Sequence, residues 1–96
     1  MSKHIVLFKM TDQGAKDIKN APQRIEAAAK ATEAMGGKMT FYYTTGEYNY
    51  IGIFDGLTDE ALTSLGLKTF SAGNIRGKVL RAFTTKEFAE IVKKLP

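Results

Sequence analysis

Hydrophobic positions alternate along some stretches of this chain and recur every three to four residues along others, and the switches between the two periods mark out its elements. Alternation is densest from Lys38 to Gly56, K-M-T-F-Y-Y-T-T-G-E-Y-N-Y-I-G-I-F-D-G, where two runs rich in β-branched and aromatic residues flank Gly46. This pattern predicts a β-hairpin with strands near residues 38–45 and 48–55. Gly46 is expected to take a positive φ in a type I turn closed by a bulge. Successive side chains of a strand point to opposite faces. Met39, Phe41 and Tyr43 therefore share one side of the first strand, and Thr40 and Tyr42 the other. In the second strand Tyr48, Tyr50 and Phe54 oppose Ile51 and Ile53. Both faces of the hairpin are apolar or aromatic, and each needs a cover.

Residues 3–10 form a further expected strand, with Ile5 and Leu7 on one side and Val6, Phe8 and Met10 on the other. A strand apolar on both sides belongs inside a sheet. Helical spacing follows near 13–35, opened by Thr11 and Asp12 and interrupted at Pro22, which suits the start of a new helix capped by Asn20. Ile25, Ala28, Ala29, Thr32 and Met35 supply its stripe, and Gly36-Gly37 its stop. A second helix is expected near 58–71, with a Thr58 cap and an acidic first turn, and with Gly73 as its end. A fourth strand is expected near 77–83, with Val79 and Phe83 opposing Leu80 and Ala82. A closing helix near 85–94 opens on the capping box Thr84-Thr85-Lys86-Glu87, with Phe88, Ile91, Val92 and Leu95 as its stripe.

The order β-α-β-β-α-β plus a helix is the ferredoxin-like α+β arrangement, a four-stranded antiparallel sheet with two main helices on one face. The other face stays apolar, which marks an interface. Packing two such sheets together would give a dimeric α/β-barrel assembly, so a homodimer or larger assembly is expected through the sheet. The 96 residues read as a single domain over 1–96, without repeat or linker.

The composition is that of an ordinary soluble globular protein, 44% hydrophobic and 25% charged. The net charge of +4 comes from scattered lysines and arginines interleaved with acids, so a nucleic-acid partner is not expected. Without cysteine there is no disulfide framework, thiol nucleophile or thiolate metal site. No apolar run reaches the ~18–20 residues of a membrane span, and the N-terminus alternates like a strand instead of reading as a signal peptide. The expectation is a cytoplasmic protein with no membrane partner, no cofactor and no metal.

Thr11-Asp12-Gln13-Gly14, Pro22-Gln23-Arg24, Gly36-Gly37, the run Tyr42 to Tyr50, Leu80-Arg81-Ala82-Phe83-Thr84 and Glu87-Phe88 together resemble the GYD-domain family of small bacterial and archaeal proteins. The resemblance spans nearly the whole chain and implies a dimeric α/β-barrel assembly without an agreed activity. Gly46 and Tyr48 match the hairpin motif, but Asn49 stands where the family usually has aspartate, which loses the charge of a carboxylate base or cation ligand.

No nucleophile elbow, Walker loop or dinucleotide fingerprint is present, and no catalytic residue is assigned. Arg24, in the first turn of the long helix, can bind an anion or pair with Glu47 or Asp55. Tyr42, Tyr43, Tyr48 and Tyr50 can line a pocket or pack across strands. His4, the lone histidine, reads as structural or solvent-facing, and Lys9 and Arg81 as charged strand ends at the surface or as cations aimed into a cavity. Gly14, Gly36, Gly37, Gly73 and Gly77 read as helix ends and turns. The expected site is a cleft between sheet and first helix that holds a small organic ligand, bordered by Arg24, Tyr43, Tyr48 and Asn49. Two other readings are an enzyme of the cofactor-independent monooxygenase or isomerase type and a purely structural assembly protein.

Overall fold

In a computed structural model, which describes residues 3–96, the chain forms four strands and four helices. They run β1 (Lys3–Met10), α1 (Asp12–Lys16), a 3-10 turn (Ile18–Asn20), α2 (Ala21–Ala34), β2 (Lys38–Tyr43), β3 (Tyr50–Asp55), α3 (Asp59–Ser71), β4 (Ile75–Ala82) and α4 (Thr85–Lys93). The sheet order is β2-β3-β1-β4, with every neighbouring pair antiparallel. This is the ferredoxin-like arrangement that the periodicity predicts, with β1 inside the sheet.

Register sorts the side chains into two faces. His4, Val6, Phe8 and Met10 lie level with Phe54, Gly52 and Tyr50 on β3 and with Arg81, Val79, Gly77 and Ile75 on β4. α2 and α3 lie over this side, and Val6, Phe8, Tyr50, Phe54, Leu57 and Leu65 form the buried core beneath them. Burying one such side chain fully contributes about 1.5–3 kcal/mol. The opposite face carries Ile5, Leu7, Thr40, Ile51 and Ile53, all only half-buried, with Tyr42 55% and Leu80 40% exposed. Among the described residues no element covers it.

Local chemistry explains the element ends. Thr11 Oγ1 accepts the Gly14 N–H at 3.1 Å and donates to the Gly73 carbonyl at 2.6 Å, so one hydroxyl starts α1 and ties it to the end of α3. Thr58 caps α3 by accepting the Ala61 N–H at 3.0 Å. Gly36 and Gly73 end α2 and α3 with φ of 87° and 84°, a conformation that side chains resist.

Several expectations need correction. β2 and β3 stop at Tyr43 and start at Tyr50, leaving residues 44–49 as a longer loop. The Thr44 N–H donates to the Asn49 carbonyl at 2.7 Å, and the Thr44 hydroxyl donates to the Tyr48 carbonyl. A loop closed this way needs no left-handed residue, and Gly46 has no positive φ. Asn20 does not cap α2 with its side chain; its amide donates to Asp17 Oδ1 at 2.6 Å, because the chain already breaks at Asp17. Gly77 lies inside β4, where a Cβ would sit 2.8 Å from the Phe70 ring and 3.1 Å from the Phe8 ring. Gly14 lies inside α1, pressed against the Asn74 carbonyl so that a Cβ would stand 2.1 Å from its oxygen. β4 ends at Ala82, so Phe83 falls outside it and Arg81 shares the Val79 face.

Candidate functional site

The helix layer does not close over the sheet. α2 is rich in alanine, so its inner face, Ala21, Ile25, Ala28 and Ala31, is shallow. α3 turns Leu62, Leu65, Thr69 and Phe70 toward it. Between the two helices, above Val6, Phe8, Phe41 and Tyr50, lies a cavity of about 550 Å³. Small side chains on one wall and large ones on the other leave space that close packing would otherwise remove.

The walls are apolar and the polar groups few. Arg24 and Lys68 line the cavity as cations, with Tyr50, Thr63, Thr69 and Asn74, and no carboxylate lines it. Arg24 pairs with Asp17, its Nη1 standing 2.6 Å from Oδ2 and 3.2 Å from the Asp17 carbonyl. The partners expected from the sequence are engaged elsewhere, Asp55 by Lys3 at 2.8 Å and Glu47 by Lys9 at 3.5 Å. The chain break at Asp17 explains this, since it brings a carboxylate back beside the first turn of α2. Among the described residues Lys68 has no ion-pair partner.

Of the four residues expected to border one cavity, Arg24 lines this one and the other three do not. Tyr43 is exposed at the end of β2, its ring edge-on to Tyr50 at 5.7 Å. Tyr48 lies in the hairpin loop under the Lys9 ammonium, 5.2 Å from the ring centre. Asn49 faces β1: its N–H donates to the Phe8 carbonyl at 2.8 Å, and its Oδ1 accepts the Met10 N–H at 2.8 Å. Its side chain supplies an acceptor to β1 where β3 has ended. Lys9 and Arg81 both stay outside the cavity. Arg81 lies 4.6 Å over the Phe83 ring and donates to the carbonyls of Lys3 and Ala82.

Sequence reasoning placed Tyr50 among pocket candidates without choosing it, and missed Lys68 and the whole α3 wall. Their signal was present in the stripe Leu62, Leu65, Thr69 and Phe70, which reads equally as ordinary core. His4 is buried, with Nε2 3.4 Å from Asp59 Oδ1 and Nδ1 lacking a partner, but it does not line the cavity. Among the described residues no cluster of three or more acidic or histidine side chains is placed to hold a metal ion, and no helix is long and apolar enough to cross a membrane.

An antiparallel sheet with helices on one face, a cavity under them and an uncovered apolar face defines the class: a two-layer ferredoxin-like domain. The family model for the GYD domain matches residues 4–92, and the chain belongs to the GYD-domain family. The fold is similar to the crystal structure of TTHA0845 from Thermus thermophilus, with TM-score 0.55 and 20% identity over 88% of this chain and 95% of that one. It is also similar to the ensemble-refined crystal structure of At3g17210 from Arabidopsis thaliana, with TM-score 0.53 and 16% identity over the same shares. At these identities the likeness concerns the fold. No curated protein matches the chain.

Proposed function

We propose that the protein is a small-molecule-binding domain, working as a homodimer through its open sheet face, that holds an apolar organic molecule between α2, α3 and the sheet. The cavity carries this reading. Its volume of about 550 Å³ falls within the roughly 300–1,000 Å³ of ligand pockets, and its apolar walls with a few polar groups match their usual lining. Arg24, Lys68 and the Tyr50 hydroxyl are the anchors for a polar or anionic end of the ligand. Binding needs only these walls and anchors. Tyr43, Tyr48 and Asn49 then serve the hairpin and its contact with β1.

The test is an NMR titration with n-decanol and with decanoate, following the methyl groups of Ala28, Ala31 and Leu62. These resonances are expected to shift with saturation, and Ala28→Trp, which fills the cavity, should abolish the shifts. A ligand at 100 times its Kd would stabilise the fold by about 2.7 kcal/mol. Shifts confined to Ile5, Ile51 and Ile53, or none at all, would rule the cavity out.

A further inference from the structure

The most amphipathic segment of the chain is also the least covered. α4 carries Phe88, Ile91, Val92 and, just past its end, Leu95 along one side, yet no residue of α4 is buried. Phe88 is 59% and Leu95 67% exposed. An apolar stripe on a helix is ordinarily the side that faces a core. The link from β4 is only Phe83 and Thr84, and the capping box fixes how α4 leaves it. Thr84 Oγ1 accepts the Glu87 N–H at 3.0 Å, and Glu87 Oε1 accepts the Thr84 N–H at 2.8 Å. The molecule is 51 Å long and only 18 Å thick.

The same chain leaves a second apolar surface bare, the open face with Ile5, Leu7, Tyr42, Ile51, Ile53 and Leu80. From strand spacing and rise, four strands six to eight residues long offer a footprint of roughly 400–450 Å² per copy. Pairing two of them buries on the order of 800–900 Å², short of the ~1,200 Å² at which specific stable interfaces begin. A helix of nine residues adds roughly 140 Å² of footprint on each surface it joins. Two such helices, each against the other copy, bring the total to about the required size.

We infer that α4 is an exchanged arm: in the homodimer each α4 lays its apolar stripe on the margin of the partner copy's open sheet face. The inference rests on the homodimer proposed above and adds where the arm goes. The contact is isologous, so one complementary pair of surfaces is used twice.

Because the chain has no cysteine, cross-linking reads it cleanly. Full-length Phe88→Cys protein is mixed with Tyr42→Cys or Leu80→Cys protein, one at each margin of the open face, and oxidised under mild conditions. Mixing single variants excludes bonds within one chain. A mixed cross-linked dimer at either margin is the expected result, with Ile91→Asp weakening the dimer at least tenfold by light scattering and Ile18→Asp, an exposed apolar position elsewhere, leaving it unchanged. Dimers by light scattering without any mixed cross-link, or with Ile91→Asp inert, would overturn the arm and leave the homodimer standing. A monomer at micromolar concentration would overturn both.

Discussion

Asn49 shows how one side chain can settle a position that the family motif leaves open. Its Oδ1 takes the Met10 N–H while its own N–H reaches Phe8, so the residue staples the hairpin loop to β1. Aspartate offers the same acceptor, which accounts for either residue here without invoking a base or a cation ligand. Asn49→Asp is therefore expected to keep the stability of the native protein. Asn49→Ala leaves the half-buried Met10 N–H without its partner and should cost about 1–2 kcal/mol in urea denaturation. An Asn49→Asp loss as large as that of Asn49→Ala would remove the acceptor role.

Among the elements, α4 depends most on its own ends, since no core holds it. Glu87 sits below its ordinary pKa near 4.5, chiefly because its carboxylate accepts the Thr84 backbone N–H. A carboxyl whose folded pKa is depressed lends stability that is present above the unfolded value and lost as the pH falls through the folded one. The start of α4 should therefore fray below about pH 4.5. Protection of the Thr84 and Glu87 amides, taken as the ratio of the intrinsic to the observed exchange rate at each pH, should fall there. Thr84→Ala should quicken exchange at Glu87 already at neutral pH, and exchange indifferent to both changes would discard the capping box as the anchor of α4. The periodicity made this helix and its cap legible because both signals are local. It also placed β1 inside a ferredoxin-like sheet, since β1 reads apolar on both sides. Less was legible where the chain departs from local rules. The break at Asp17 rests on side-chain bonds from Asn20 and Arg24 that helical spacing does not show, and the long loop at 44–49 on hydrogen bonds from Asn49 to β1. The cavity was hidden for another reason: Leu62, Leu65 and Phe70 carry the same pattern whether they meet α2 or stop short of it. Only the shallow alanines of α2 decide that, and they decide it in three dimensions.

At the scale of the whole molecule, the cavity and the open face lie on opposite sides of one sheet, and β1 serves both. Val6 and Phe8 floor the cavity, while Ile5 and Leu7, alternating with them, belong to the surface proposed to meet the second copy. Two binding events that share one strand form a thermodynamic cycle. Whatever factor the ligand contributes to pairing, pairing must return to the ligand. A ligand that restrains Val6 and Phe8 also restrains the backbone carrying Ile5 and Leu7, so the coupling is expected to be favourable in both directions. Saturating n-decanol should then lower the dimer dissociation constant measured by light scattering, by the square of the factor by which each of the dimer's two cavities binds n-decanol more tightly. If the dissociation constant is the same with and without n-decanol, the sheet is a partition, and each side senses only its own neighbours.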